Sequence, residues 1–155
     1  MKKLQALLLL ISFQFSCTSE RKIEAYNITP MLAEKAKLAV SNEDKVKLEL
    51  CNQIPFKWDK IIVIPPYSNA QMIRKYELDN SKFIEDNMID SLYDEGKCLL
   101  LYVEKNTIKR YSFVPRTPLD FNYVNNSDTI KTLSKKLICD ELYIKVINGE
   151  TKLWR

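Results

Sequence analysis

The chain has 155 residues, a formal net charge of +4, no histidine, and only two glycines, Gly96 and Gly149. Without histidine it has no Ser-His-Asp or Cys-His catalysis and no imidazole metal ligand. Two widely separated glycines form neither a phosphate-binding loop nor a glycine-rich dinucleotide turn, so we expect no cofactor and no metal. The length fits a single domain.

The N-terminal residues have the pattern of an export signal. Lys2 and Lys3 precede a mostly apolar run over residues 4–13. This run is too short to cross a bilayer as a helix, which needs about 20 residues. A charged start before a short apolar run is typical of a secretory signal. We therefore predict a signal peptide at residues 1–16 and an exported domain that faces the periplasm or the exterior.

The end of this segment, Ser16-Cys17, resembles the lipobox of bacterial lipoproteins, although Gln14 and Phe15 depart from that family's usual residues. The resemblance implies that Cys17 becomes the first residue, carries acyl chains such as palmitate, and anchors the protein to a membrane of the cell envelope. Two alternatives stay open: cleavage after Ser19, which would give a soluble secreted product, and an uncleaved N-terminal anchor.

The segment after the signal, residues 17–28, is mostly polar and is predicted to be the lipidated cysteine and a tether. A globular domain is predicted at residues 29–155. Removal of Lys2 and Lys3 with the signal leaves this part close to neutral. Because nucleic-acid binding needs a concentrated basic patch, we expect no nucleic-acid partner. The sequence leaves open which protein or glycan is the partner.

The first predicted elements of the domain are a helix at about 30–40 and a strand at 45–50. Thr29-Pro30 is a typical helix start, because a threonine N-cap is followed by proline in the first turn. Apolar and charged residues then alternate over 45–50, which is the periodicity of a strand. A continuing helix is the alternative for this stretch.

Residues 56–67 are the most distinctive stretch. Phe56, Trp58 and Asp59 precede four β-branched residues at 61–64, which predict a strand buried on both faces. Pro65-Pro66 ends this strand, since proline cannot donate to a ladder. The pattern is similar to a Phe-x-Trp-Asp…Pro-Tyr signature of small exported bacterial proteins, and that resemblance implies no activity.

Two interpretations of this stretch differ in where the aromatic rings lie. In the binding interpretation, Trp58 and Tyr67 form an aromatic groove in which Asp59 orients a ligand. In the structural interpretation, which we favour, Trp58 packs in the core, Asp59 accepts hydrogen bonds from nearby backbone amides, and the Pro-Pro-Tyr segment shapes a corner.

Helices are predicted next, at about 69–77 and 81–93. Asp86 and Asp90 lie in the second, and Asp94 just after its predicted end continues their spacing of four, with Glu95 beside it. Paired carboxylates act in acid/base catalysis when burial separates their pKa values, and calcium loops alternate their oxygen ligands along a turn. A stripe on one helical face suits neither role, so a solvated face is the favoured interpretation.

The C-terminal part is predicted to hold a hairpin (99–104 with 108–114), a loop at 119–126, a helix at 128–137 and a second hairpin around Asn148-Gly149. The loop carries Phe121 and Tyr123, which are candidates for a surface binding platform. Lys105, Lys109, Arg110 and Arg116 surround the first hairpin. They are candidates for contact with anionic lipid, although charges at a hairpin edge also oppose aggregation.

Three cysteines remain after the anchor: Cys51, Cys98 and Cys139. An exported domain permits disulfides, and three cysteines allow three pairings, each of which leaves one thiol. Three buried thiols are the favoured interpretation, and a Cys98–Cys139 bridge comes next. The spacing matches no zinc pattern.

These elements predict the α+β class, with a mainly antiparallel sheet of about five to six strands and three to four helices in one domain. The function we expect is a non-enzymatic binding or envelope-maintenance module, with no catalytic residue assigned. A secreted inhibitor or immunity-type protein is one alternative. The other is an envelope enzyme that works without histidine, for which Asp59, Asp90 and Cys98 are weak candidates.

Overall fold

The computed structural model describes residues 22–42, 45–117, 119–121, 131–147 and 149–154. The predicted signal peptide, Cys17 and Tyr123 therefore lie outside the described residues. The described part contains two sheets and three α-helices. The α-helices are α1 (Thr29–Asn42), α2 (Ala70–Arg74) and α3 (Ser81–Met88).

The larger sheet has five strands in the order β1-β5-β4-β3-β6. Its strands are β1 (Glu24–Ala25), β3 (Lys60–Ile64), β4 (Lys97–Glu104), β5 (Thr107–Pro115) and β6 (Lys131–Ser134). The smaller sheet has the order β2-β7-β8 and consists of β2 (Val46–Lys47), β7 (Tyr143–Ile147) and β8 (Glu150–Trp154). All pairs of these strands are antiparallel except β1 with β5, which is parallel, and an isolated bridge between Asp120 and Lys152 is also parallel. The α+β class is therefore confirmed. The larger sheet is mainly but not purely antiparallel, and the strands lie in two sheets rather than in the single sheet of five to six strands that the sequence predicts.

The interior strand β3 is buried on both faces, as its run of β-branched residues predicts. Ile61 and Val63 join one hydrophobic core, whereas Ile62 and Ile64 join a second. This division follows from the alternation of side chains across a strand. The larger sheet therefore separates two cores. Helix α1 and the smaller sheet supply side chains to the first core, and α2 and α3 supply side chains to the second.

The two ends of the larger sheet carry different elements. At one end, the β4–β5 turn lies beside the first residue of β3 and the last residue of β6, because Lys60 pairs with both Val103 and Ser134. We call this the hairpin end. At the opposite end, Ile64 pairs with Leu99 and Lys97 pairs with Pro115. The chain leaves β3 there and turns through Pro65-Pro66 toward α2.

Several predicted boundaries are wrong for identifiable reasons. The fold begins earlier than residue 29, because Ile23 and Ile28 are buried and β1 pairs with β5. The strand predicted at 45–50 covers only β2, and the chain then forms a 3-10 turn over Leu50–Asn52. The helix predicted at 81–93 ends at Met88, and a 3-10 turn follows over Asp90–Tyr93.

The helix predicted at 128–137 is also wrong over residues 131–134, although residues 135–137 are helical. Residues 131–134 form β6, which pairs along the outer edge of β3. A π-helical turn follows over Leu137–Glu141. The pairing partner decides this outcome, because the edge of β3 offers backbone groups that a four-residue strand satisfies. Within the described ranges, no helix is both long enough and apolar enough to span a bilayer.

Candidate functional site

A cleft opens at the end of the larger sheet opposite the hairpin end, and we call this the cleft end. The main cavity has a volume of about 550 Å³. Four separate segments line it: the last helical turns of α1, the residues before β4, the residues after β5, and the β7–β8 turn. The residues that bring polar groups to it include Glu95, Arg116, Thr117, Asp120, Thr151 and Lys152.

A second cavity of about 360 Å³ shares Glu95 and Arg116 with the first. Its other walls are the corner after β3, with Pro65, Pro66 and Tyr67, and Met72 of α2. The two cavities are therefore neighbouring parts of one cleft.

Arg116 is held in place between these two parts. Its Nε and Nη2 atoms both lie 2.8 Å from Oδ2 of Asp120, and its Nη1 donates to the carbonyl oxygen of Glu95 at 3.3 Å. Its backbone N–H donates to the carbonyl of Gly96 at 2.8 Å. Because a guanidinium with several fixed partners loses little further entropy on binding, this side chain is organised to meet a polar ligand.

Tyr67 lines the second cavity together with Glu95 and Arg116, and it is exposed over 58% of its surface. Its backbone has φ 61°, in the left-handed region, and its N–H donates to the carbonyl of Leu92 at 2.7 Å. A hydrogen bond to the Glu95 carboxylate raises the pKa of the Tyr67 phenol, so the hydroxyl keeps its proton and donates it. Non-glycine residues in this backbone region cluster at functional sites.

The β7–β8 turn closes one side of the main cavity through Gly149. Its φ of 78° is one that residues with a side chain rarely adopt, so glycine permits the tight turn predicted from Asn148-Gly149. The turn brings Glu150, Thr151 and Lys152 to the cleft.

The cleft combines an aromatic ring with fixed donors and acceptors, and this combination suits recognition of a polar ligand. The nearest thiol is Cys98, which is fully buried at the base of β4. Burial, together with the charge of Asp120, raises its pKa to about 12. The thiol therefore stays protonated at neutral pH, which is the unreactive form. Cys98 is thus unsuited to be the nucleophile that the enzyme alternative needs.

The structure separates the residues of the predicted aromatic groove. Trp58 is only 1% exposed and packs in the first core, with the Lys135 ammonium 5.0 Å from its ring centroid. Asp59 is exposed, and its Oδ2 accepts the backbone N–H of Lys105 at 2.6 Å. Of this set, only Tyr67 faces the cleft. The groove of the binding interpretation is not formed, because the two rings lie at opposite ends of β3. Trp58 and Asp59 instead lie as the favoured structural interpretation predicts, in the core and on a backbone amide.

The predicted aromatic platform is not formed by Phe121 either. The Phe121 side chain is fully buried in the first core, so its predicted surface position is wrong. Its partner in that prediction, Tyr123, lies outside the described residues. The loop containing them includes three described residues, of which Leu119 and Phe121 are core residues and Asp120 reaches the cleft.

The acidic residues do not form a single stripe, because α3 ends before Asp90. Asp86, Asp90 and Asp94 are all exposed. Asp94 pairs with Lys97 at 3.0 Å, and its carboxylate accepts the N–H of Gly96 at 2.8 Å. Both contacts lower the pKa of Asp94. Across the part of the chain that the structure describes, no group of three or more potential ligands could hold a metal ion.

The cysteine pairing differs from both favoured predictions. Cys51 and Cys139 form a disulfide, with their Cα atoms 5.4 Å apart, and Cys98 is the thiol left over. The bridge ties the 3-10 turn over Leu50–Asn52 to the π-helical turn over Leu137–Glu141. These turns are 88 residues apart in sequence, so no local pattern indicated the pairing.

Comparisons of this chain with protein-family models, with curated proteins and with solved structures find no match. The cleft is therefore interpreted from its geometry. Sequence reasoning missed it as a site, because it grouped Glu95 with the acidic residues around Asp90 and grouped Arg116 with the basic residues around the first hairpin, whereas the structure brings Glu95 and Arg116 together. No local pattern indicated the contact between Arg116 and Asp120, because neither residue is in a helix and a spacing of four brings side chains together only on a helix.

Proposed function

We propose that the chain is an exported lipoprotein of the bacterial cell envelope, anchored through Cys17, whose folded domain binds a protein or glycan partner at the cleft. The Cys51–Cys139 disulfide is the observation that carries this proposal. Disulfides persist in oxidising compartments and are rare in the cytosol. A bridge in the folded domain therefore agrees with the export pattern of residues 1–16, which is an independent feature of the same chain.

The cleft supports binding rather than catalysis as the role of the domain. Arg116 is bound to Asp120 and Glu95, and Tyr67 is bound to Glu95. Such fixed groups orient a ligand. A catalytic nucleophile needs a lowered pKa or an adjacent base, whereas Cys98 is buried and its pKa is raised.

The export part of the proposal is tested by the oxidation state of the cysteines in a bacterial host. The full chain and a matched variant without residues 2–16 are expressed, denatured under acid quench, and labelled with a maleimide that adds mass. In the full chain we expect Cys98 alone among the three domain cysteines to be labelled until a reductant is added. In the variant we expect all three domain cysteines to be labelled before any reductant is added.

A Cys51→Ala variant of the full chain is the control, because it frees Cys139 for labelling and identifies the bridged pair. Immediate labelling of Cys51 and Cys139 in the full chain, with its leader intact, would count against export.

A further inference from the structure

Basic side chains collect at the hairpin end of the larger sheet. Lys57 precedes β3 and Lys60 opens it, Lys105 lies in the β4–β5 turn, and Lys136 follows β6. The backbone ties these segments together. Asp59 donates its N–H to Val103 at 2.8 Å, and Lys135 donates its N–H to the carbonyl of Asp59 at 2.8 Å. One compact surface therefore presents lysines from three separate segments.

Of the acidic residues at this end, Glu24 and Glu104 are in ion pairs, whereas Asp59, Glu77 and Asp79 keep their charge, because a hydrogen bond from a neutral donor does not neutralise a carboxylate. Glu104 pairs with Lys109 at 3.0 Å, and Glu24 pairs with Arg110 at 2.9 Å. Asp59 accepts the N–H of Lys105. Asp79 accepts the Thr107 hydroxyl at 2.9 Å. Four lysines have no ion-pair partner among the described residues: Lys57, Lys60, Lys105 and Lys136.

The cleft end has the opposite character. Its carboxylates outnumber its basic groups. The acidic residues are Asp90, Asp94, Glu95, Asp120 and Glu150, and the basic residues are Lys97, Arg116 and Lys152. The two ends are separated by the length of β5, which has nine residues and spans about 26 Å at ~3.3 Å per residue. The domain is thus electrically polar along its strands, although its net charge is small.

The chain enters the fold at the basic end. Strand β1 runs parallel to β5, with Glu24 opposite Arg110 and Ala25 opposite Tyr111. Because β5 starts at the hairpin turn, the residues before Glu24 approach from that side. Core contacts hold this edge in place: Ile23 is buried in the second core, and Tyr26 donates its N–H to the carbonyl of Tyr111 at 2.7 Å.

We infer that the hairpin end docks on the anionic surface of a lipid bilayer, and that the cleft consequently points away from it. This inference rests on the proposed lipid anchor. Only five residue steps separate Cys17 from Lys22, and a fully extended chain spans at most ~3.6 Å per step, so the anchor lies within about 18 Å of the basic end. Lysines held near an anionic bilayer are attracted to it within a Debye length of about 10 Å.

The docking surface is tested with vesicles and a chain that begins at residue 18. Both cores use only residues from Ile23 onward, so this chain keeps every described contact. We expect it to bind vesicles of phosphatidylglycerol and phosphatidylcholine, and to bind vesicles of phosphatidylcholine alone much more weakly. Addition of salt should release it, because the attraction is electrostatic.

The test variant replaces three lysines of the hairpin end: Lys57→Gln, Lys60→Gln and Lys105→Gln. Its partition coefficient on anionic vesicles should fall about 100-fold, since each lysine near such a surface contributes about fivefold. The control variant carries Lys37→Gln, Lys97→Gln and Lys145→Gln. It has the same change in net charge but keeps the hairpin end, so it should bind almost as wild type does.

Equal losses in the two variants, or a wild-type chain that does not prefer anionic vesicles, would overturn the inference. Circular dichroism of each variant establishes that the fold is kept. Because the tested chain lacks Cys17, its failure to bind would leave the lipid anchor unaffected. Absence of lipid on Cys17 in cells would likewise leave the vesicle result standing.

Discussion

Trp58 and Tyr67 flank the same strand, β3, yet their surroundings differ completely. Trp58 is 1% exposed and Tyr67 is 58% exposed. Spacing along the chain does not reveal this difference, because both are aromatic residues beside a buried strand. What separates them is the structure around each. Trp58 packs into the first core, whereas the corner after β3 turns Tyr67 outward at a positive φ.

The backbone of Tyr67 leads to a prediction at the scale of one residue. Alanine normally exceeds glycine in stability by about 0.5–1 kcal/mol. At φ 61° this order should reverse, because a Cβ in the left-handed region costs about 1–2 kcal/mol. We expect Tyr67→Gly to have a higher free energy of unfolding than Tyr67→Ala, as measured by urea titration. The two variants both lack the ring, so each is the other's control. The account of this corner is wrong if Tyr67→Ala is the more stable.

At the scale of elements, the disulfide joins two short turns that are 88 residues apart in sequence. Replacement of both Cys51 and Cys139 by alanine should lower the free energy of unfolding by about 2–5 kcal/mol, because the bridge closes a long loop in the unfolded chain. The matched control is Cys98→Ala, which leaves the bridge intact. In urea titrations, added reductant should destabilise wild type and Cys98→Ala by the same amount and leave the double variant unchanged. Wild-type stability that does not respond to reductant would contradict this role for the bridge.

The elements also mark how far sequence reasoning reaches. Four β-branched residues in a row were enough to predict β3, and Thr29-Pro30 was enough to predict the start of α1, because both signals are local. Thr29 is nevertheless the first helical residue rather than the N-cap, and Oδ1 of Asn27 accepts its N–H. Strand β6 was predicted as a helix, because its four residues acquire strand structure only by pairing with β3.

The candidate site was less predictable than the fold. Tyr67 was named as a binding candidate, and it does line the cleft. The remaining walls come from segments far apart in sequence, such as the end of α1, the residue Glu95 and the β7–β8 turn. Only tertiary packing brings these segments together. The Cys51–Cys139 pairing escaped prediction for the same reason.

At the scale of the whole molecule, the charge distribution and the chain topology favour the same orientation of the domain on a membrane. The chain enters beside the lysines of the hairpin end, and the cleft opens at the opposite end of the strands. An anchor at Cys17 would therefore hold the basic end against the bilayer and present Tyr67 and Arg116 to partners outside. In this arrangement, the charge difference between the two ends of the domain would orient it on the membrane. The arrangement depends on lipid being attached to Cys17.

The attachment of lipid to Cys17 is the most direct test of the account. The full chain and its Cys17→Ala variant are expressed in a bacterium that acylates exported proteins, in the presence of labelled palmitate. Several buried acyl chains hold a protein persistently, at about 0.8 kcal/mol per CH₂. We predict that wild type carries the label, gains the corresponding mass and sediments with membranes, and that Cys17→Ala loses all three properties. A wild-type chain without label, or a Cys17→Ala chain that keeps the label and the membrane association, would contradict the account.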